Sequence, residues 1–598
     1  MASPLQGAGQ QAVRAPVSAS QHPFKGRTVA VVNDLSRKEQ WYLYCKTREL
    51  KEAISRGQEL NDFRLRDPQA AVYTIFMEDS TRTKESFRNA AEFHGMKVNV
   101  FDSKTSSFQK NETITDTVKM LAGYSIGQSI FVIRSKIEGV CRWLEEAIDE
   151  YTTQRGYPRA SFINAGDGRH EHPTQEMLDE FSFLEHKGWD STSIHLALLG
   201  DLYHGRTVHS KVDGLKIYGE VDVDLIAPPD LALPEMYEDR MISAGFRVRK
   251  FKSIEEYLAQ PKVAKIWYFT RLQLERMGDK VRDRSADLRK AVTMQREFVE
   301  LLPAGTKFFH PLPRDARYPT IPFWIDGTSL NGWDQQSQNG YFTRIVLLGM
   351  LGGKFGHDLE TVVQQLEWKR ETTPCLPNSP NTPVDQGLLA QAMALASDFV
   401  KEVKAEDTDS VVLGGTAGLA PVIDGVVIDR IAENQEPEKI WSVMFMVRSV
   451  LGLNSMGGMG VYRTGEKKDK AAGFLTAPDF NIDQLTWLPL KKLAAMSPGS
   501  TLSILKAGRI HKKFTLQVPP KIYNFPDISC KNEACISHPD NMQREVSAYF
   551  HRLNYEVPVE ANTTASWAFT CKYCETVHTF WQIWDHKYYQ SLSEYSGV

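Results

Sequence analysis

The chain has almost no net charge for its size, no long apolar run and few cysteines. Its 598 residues carry 71 Lys and Arg against 74 Asp and Glu, a formal charge of −3. That balance gives no electrostatic case for a nucleic-acid or membrane partner. No uninterrupted apolar stretch approaches the ~20 residues needed to span a bilayer, so no membrane role is expected. Seven cysteines do not make a disulfide scaffold in so long a chain. Cys45, Cys141 and Cys375 are scattered and the other four sit near the C-terminus, a usage that fits a reducing, cytoplasmic setting. Residues 1–22 lack acidic side chains and an apolar signal core, which reads as a disordered tail, with a transit peptide as the weaker alternative.

What is present is an alternation of strand and helix over the first 360 residues. Apolar runs predict strands at 70–77, 96–101, 129–134, 161–164, 194–200, 224–227, 265–270 and 306–309. Helical spacing links Ile114, Val118, Leu121 and Ala122, then Val140, Cys141, Leu144 and Ile148, and a helix at 340–351 closes the region. A βαβα rhythm of this kind predicts parallel sheets with helices on both faces. One sheet would need too many strands, so two α/β domains are expected.

Polar residues recur where these strands end, the edge at which open α/β sheets bind ligands. Ser80-Thr81-Arg82-Thr83 follow the first strand and precede Phe87, Ala90 and Ala91 at helical spacing. Free backbone N–H groups and the helix dipole favour an anion at such a turn, and a guanidinium matches phosphate oxygens. Alone, the turn is equally well read as an ordinary helix cap with a surface arginine. Later strands run out into Arg134, Asn164-Ala165-Gly166-Asp167-Gly168, His172-Pro173-Thr174-Gln175, Gly200-Asp201 and Gly205-Arg206-Thr207, Arg271-Leu272-Gln273 and His310-Pro311-Leu312-Pro313-Arg314. Arginines at five strand exits (82, 134, 206, 271 and 314) predict a cleft for ligands with several negative charges.

These stretches, with Ser107-Phe108-Gln109-Lys110, occur in the order seen in aspartate carbamoyltransferases, and residues 70–350 resemble the catalytic chain of that family. The resemblance implies transfer of a carbamoyl group from carbamoyl phosphate to the α-amine of L-aspartate. It implies that Ser80, Thr81, Arg82 and Thr83 hold the phosphate. Thr83, Arg134 and His172 would donate to the carbamoyl oxygen, and Gln175 would orient the carbamoyl amide. Arg206, Thr207, Arg271 and Gln273 would hold aspartate, with the backbone carbonyls of Pro311 and Leu312 near the amines. Ser107 and Lys110 would reach into a neighbouring subunit's site, so a catalytic trimer is implied. No cofactor is implied in that site. His172 is expected to stay neutral, since an imidazolium beside arginines is disfavoured. The chain departs from the family at Asn111, where glycine is usual and a stiffer loop is expected, and at Asp315-Ala316-Arg317-Tyr318.

Rival readings are weaker. Ser107-x-x-Lys110 also matches penicillin-binding enzymes, but their partner motifs are absent. His170-Glu171-His172 carries metal-ligand types, yet has no placed third ligand. An ornithine carbamoyltransferase would have a cysteine in place of Pro311, and Ser455-Met456-Gly457 lies too far downstream to be its acceptor loop. A zinc-stabilised nucleic-acid binder would need a basic face, and only 506–513 is locally basic. A catalytically inactive scaffold would not need every donor present.

The last part of the chain is different in kind. A Pro-rich linker at 374–383 precedes an expected helix at 386–404. A strand (425–431), a helix (436–451), two short strands, a helix (482–495) and a strand (501–510) then suggest a ferredoxin-like α+β sandwich. Cys530-x4-Cys535 and Cys571-x2-Cys574 suggest a four-thiolate zinc site in a small zinc-ribbon-like domain. Residues 420–580 resemble the regulatory chain of the bacterial enzyme. That resemblance implies nucleotide contacts at Asp429, Lys468 and Lys513, weakened by Arg430 and Ala472 where the family has histidine and lysine. The expected division is a tail (1–22), a carbamoyl phosphate domain (23–160, joined by 335–360), an aspartate domain (161–334), a linker and helix (361–418), a nucleotide-binding-like domain (419–520) and a zinc domain (521–598).

Overall fold

The computed structural model describes residues 22–102, 111–273, 284–363, 400–403, 422–453, 457–464, 470–480, 487–523, 525, 528–541, 543, 545–553 and 567–584. Ser107, Lys110, Lys468 and the expected linker lie outside them.

The first sheet is parallel, in the order β2-β1-β3-β4, from β1 (Ala71–Phe76), β2 (Lys97–Asp102), β3 (Ser129–Ser135) and β4 (Ser161–Asp167). β1 and β4 are buried along their whole length, as strands covered on both faces must be. The second sheet is also parallel, in the order β7-β6-β5-β8-β9. Its strands are β5 (Ser193–Leu199), β6 (Glu220–Ile226), β7 (Arg247–Phe251), β8 (Ile266–Phe269) and β9 (Lys307–Phe309). β7 escapes a sequence reading because Arg247, Arg249 and Lys250 interrupt its apolar residues; it is an edge strand whose charges meet Asp222, Asp224 and Glu238. The closing helix, Trp333–Gly352, is longer than periodicity alone shows and packs on the helices Thr81–His94 and Pro173–His186.

The third sheet corrects two expectations. Residues Val400–Val403, expected at the end of a helix, form strand β10 and pair with β15. The single strand expected at 501–510 is a hairpin, β14 (Thr501–Lys506) and β15 (Arg509–Leu516), turning at Ala507-Gly508, both at positive φ. With β11 (Gly425–Ile431), β12 (Met459–Thr464) and β13 (Lys470–Pro478), the order is β10-β15-β14-β11-β13-β12. The four strands β14-β11-β13-β12 with helices Pro437–Val450 and Trp487–Met496 are the ferredoxin-like arrangement. A last antiparallel sheet, β16 (Lys521–Tyr523), β17 (Tyr549–Arg552), β18 (Ala568–Cys571) and β19 (Val577–Thr579), carries the C-terminal cysteines.

This cysteine domain docks on the first α/β sheet through backbone as well as side chains. Glu138 N–H donates to Ala534 at 2.7 Å, and Ile536 N–H returns a bond to Glu138 at 2.9 Å. Asn532 Nδ2 reaches Glu138 Oε2 at 2.6 Å. The Lys572 ammonium pairs with Glu146, and Trp143 meets Tyr573 edge-on. One apolar cluster runs from Ile133 and Leu144 into Phe569, Tyr573 and Trp584. Gly139 is required here: its φ is +80, and a Cβ would lie 2.5 Å from that of Tyr573. Gly139→Ala is therefore expected to loosen the docked domain. Hydrogen exchange should quicken at least about tenfold at the Glu138 and Ile536 amides, and unchanged exchange would contradict this contact.

Candidate active site and cysteine centre

Every candidate segment of the catalytic half leaves the C-terminal end of a parallel strand. After β1, Ser80 caps the Thr81–His94 helix with extended backbone but no side-chain cap bond, so its hydroxyl is not spent on the helix. Thr83 is buried in the first turn, while Arg82 is exposed. After β3 and β4, Arg134 donates from Nη1 to the Ala165 carbonyl at 2.9 Å. Arg206 donates to the Gly168 carbonyl at 3.0 Å and to Glu78 at 3.3 Å. Both guanidiniums crowd Gly166, whose φ is +109: a Cβ there would lie 2.8 Å from Arg134 Nη1 and 3.0 Å from Arg206 Cζ. Glu78 sits between them, 3.9 Å from Arg134 Nε.

His172 starts the Pro173–His186 helix beside this pair. Burial, then the charges of Arg134, Arg206 and Arg344, hold its pKa well below the usual imidazole value, so it is neutral as expected. Thr174 Oγ1 lies 3.4 Å from its Nδ1. A hydroxyl proton given to Nδ1 would leave the ring proton on Nε2. Gln175 donates from Nε2 to Asp179 at 2.8 Å, which fixes the sense of its amide and leaves Oε1 to accept. Asp179 also accepts from Lys211 at 2.8 Å and Gln336 at 2.6 Å, all buried.

Gln336 takes the network onward by accepting from His310 N–H at 2.9 Å. Burial, followed by Arg314, Arg82 and Arg271, lowers the His310 pKa to about 3, so the phosphate-turn arginine and the Arg271 segment converge on one ring. Leu312 N–H donates to His310 Nδ1 at 2.8 Å, and Leu312 adopts a φ of +55 before a cis bond to Pro313. Gln273 is fixed at both ends: its N–H donates to Asp201 at 3.1 Å and its Nε2 to the His204 carbonyl at 3.2 Å.

Arg314 bears on His310 together with Arg82 and Arg271 and is itself held in place. It makes a two-pronged pair with Asp326 at 2.6 and 2.9 Å and stacks against Phe323 and Trp333. Asn111 keeps a φ of +62, the conformation a glycine would favour and one that asparagine tolerates better than most residues. Asp429 accepts from the Tyr462 hydroxyl, and the register puts it on the same side of the sheet as Lys513, two strands away.

The four C-terminal cysteines come together. Cys530 and Cys574 Sγ are 3.6 Å apart, Cys535 and Cys571 Sγ 3.7 Å, and all four are buried and free of disulfides. Thiolates about 2.3 Å from a tetrahedral ion would stand about 3.8 Å apart, so the set fits a metal. The hydroxyls of Ser537 and Thr576 lie 3.3 and 3.2 Å from Cys535 and Cys574 Sγ. His538 stays outside the set and pairs loosely with Asp540 at 3.8 Å.

Comparisons with known proteins agree with both halves. Residues 27–185 match the aspartate/ornithine carbamoyltransferase carbamoyl-P binding domain, and residues 520–584 the metal binding domain of the aspartate carbamoyltransferase regulatory chain. Protein PyrBI of Thermotoga maritima is 46% identical over 565 residues, covering 94% of this chain and 99% of its own. Protein PyrBI of Treponema denticola is 44% identical over 573 residues, covering 95% of this chain and 99% of its own. The chain belongs to the family of fused aspartate carbamoyltransferases. Its catalytic part alone aligns with the aspartate carbamoyltransferase catalytic subunit of Thermococcus kodakarensis, 32% identical over 56% of this chain and 99% of the relative.

Within the family frame, sequence reasoning missed Glu78 and Asp179 as carboxylates that orient the cationic and amide groups, and singled out Asp201 only as a strand-exit residue, without that role. Each is a plain acidic residue in the sequence, and only the fold brings it to its partners. The histidines yield a pH prediction. Burial lowers His94 and His209 to about 4 and His310 to about 3, while His172 is also lowered. All stay neutral in the fold but take protons in the unfolded chain below its pKa of about 6.5. For these histidines the unfolded state binds more protons as pH falls from about 6.5 toward 4, so they withdraw stability across that window. Their imidazole resonances should keep the neutral form from pH 7 to pH 5; a titration midpoint in that range would contradict the neutral assignments.

Proposed function

We propose that this chain transfers the carbamoyl group of carbamoyl phosphate to the α-amine of L-aspartate, giving N-carbamoyl-L-aspartate and phosphate. The observation that carries this reading is that Arg134 and Arg206 crowd Gly166 and both act to keep His172 neutral, at the edge of the sheet whose β1 leads into the Ser80–Thr83 turn. Ser80, Thr81, Arg82 and Thr83 would cradle the phosphate at the helix N-terminus. Arg134, His172 and Thr83 would donate to the carbamoyl oxygen, and Gln175 Oε1 would accept from the carbamoyl amide. Arg206, Thr207, Arg271 and Gln273 would hold aspartate, with Pro311 and Leu312 offering carbonyls to the amines.

The amine nitrogen attacks the carbamoyl carbon, the carbonyl oxygen gains negative charge, and fixed donors stabilise that charge. The C–O bond to phosphate then breaks, and the departing phosphate carries off the amine's proton. Holding two anions side by side is the main cost, and the arginines meet it by position and charge. A direct assay decides the reading: purified protein should form carbamoyl-aspartate, and ornithine should not replace aspartate. Arg134→Ala should lower kcat about 10²- to 10³-fold, the scale for losing one such donor. No product from either acceptor would overturn the assignment.

We infer that the four cysteines hold Zn²⁺, since four thiolates in a closed tetrahedral spacing suit zinc, and that the ion is structural. A mercurial thiol reagent should release one Zn²⁺ per chain and expose the cysteine domain to protease; release of none would count against zinc there. The reaction is assigned to the cytoplasm, where those thiols stay reduced. A homo-oligomer built on a catalytic trimer follows from the roles given to Ser107 and Lys110. The shared face of Asp429 and Lys513 supports a nucleotide effector site that Lys468 would complete.

A further inference from the structure

His170-Glu171-His172 divides at the fold. His172 turns toward the arginines, whereas His170 and Glu171 face Glu575, which follows Cys574 in the docked cysteine domain. One donor atom from each of His170, Glu171 and Glu575 lies within 4.8 Å of the other two. We propose that His170, Glu171 and Glu575 form a second metal site, distinct from the four cysteines, that binds a divalent ion such as Zn²⁺ or Mn²⁺ between the catalytic half and the cysteine domain.

The orientation of His170 argues for a ligand. Its Nδ1 lies 3.1 Å from Asp167 Oδ2. Asp167 is otherwise filled by donors: Gly139 N–H at 2.8 Å, Asn164 Nδ2 at 2.8 Å and Glu171 N–H at 3.1 Å. A carboxylate so placed accepts a hydrogen bond from Nδ1–H and turns Nε2 toward Glu575. That carboxylate–histidine arrangement is the usual support of a metal-bound imidazole. His170 is only 5% exposed, and its Nε2 makes no hydrogen bond. It stands 3.6 Å from Glu575 Oε2, an ion-pair distance.

The carboxylates argue the same way. Glu171 is buried, with one oxygen accepting from Val32 N–H at 2.9 Å. Burial, then the charges of Asp213 and Glu575, push its carboxyl well above the usual range. Arg240 is committed to Asp213 at 2.6 Å. An imidazolium at His170 supplies one positive charge against Asp167, Glu171 and Glu575, and a dication supplies two. One imidazole and two carboxylates suit zinc or manganese, bound at about 2.0–2.2 Å. The donors must close by about an ångström, and the Glu575 side chain, 28% exposed, is the one free to move.

The test is elemental analysis of the full-length protein after equilibrium dialysis against Zn²⁺ and, separately, Mn²⁺. Wild type should retain one more ion per chain than His170→Ala or Glu575→Gln with at least one of the two metals. Asp167→Asn should weaken that extra ion about 10- to 100-fold, the scale for losing such a support. Circular dichroism guards against misfolding of His170→Ala, and Glu575→Gln gives an independent reading at a partly exposed position. Equal counts in wild type and both variants, with both ions, would overturn the site.

Discussion

Asp167 is the constraint on which both halves of the structure lean. It ends β4, is buried, and takes hydrogen bonds from Gly139, Asn164, Glu171 and His170. Those donors belong to three different places: the start of the Val140–Arg155 helix, β4 itself, and the loop leading to His172. A buried carboxylate with its donors removed costs several kilocalories per mole, so none of the three can drift without the others. The loop held in this way carries Gly168, whose carbonyl positions Arg206, and the neighbouring Glu138 carries the cysteine domain. Active-site geometry and interdomain docking thus share one anchor.

The cleft is electrostatically unbalanced by design of its neighbours. Arg134 and Arg206 share the carboxylate of Glu78, while His172 and His310 are kept neutral by burial and then by the cations around them. A fold that packs guanidiniums this closely is less stable for it until anions arrive, and that differential is what binding of two anionic substrates would draw on. The carboxylates that remain, Asp179 and Asp201, stand behind Gln175 and Gln273 and act by orientation.

Much of this was legible because parallel sheets expose their strand ends at one edge. Short apolar runs located six of the nine described catalytic-half strands nearly in full and the first four residues of β4, and the described polar residues that follow them gather at the C-terminal edges of the two sheets. β6 was caught only at its end, because Asp222 and Asp224 alternate with valine and leucine and hide its start. β7 was lost to its own charges. β10 was read as helix because four residues carry no usable period, and only pairing with β15 makes them a strand. Arg314 has its ion-pair partner, Asp326, twelve residues on, and nothing in the pattern shows which carboxylate an arginine will meet. Glu575 lies some four hundred positions from His170, beyond the reach of any motif.

Fusion changes what a docking surface must achieve. Among the described residues, the contact between the cysteine domain and the first sheet includes a backbone exchange at Glu138, an amide–carboxylate bond, an ammonium pair, the His170–Glu575 pair and a shared apolar cluster. Between separate chains, such a set would have to overcome the full loss of translational freedom. Within one chain the second half is already present at a high effective concentration, so the same few bonds suffice. Selection on this surface is then relaxed for affinity and tightened for register. Gly139 against Tyr573 and Glu138 between Ala534 and Ile536 fix that register, and they do so three residues after β3, whose Arg134 lines the cleft. Any movement of the cysteine domain is therefore delivered first to the strand that holds a proposed catalytic arginine.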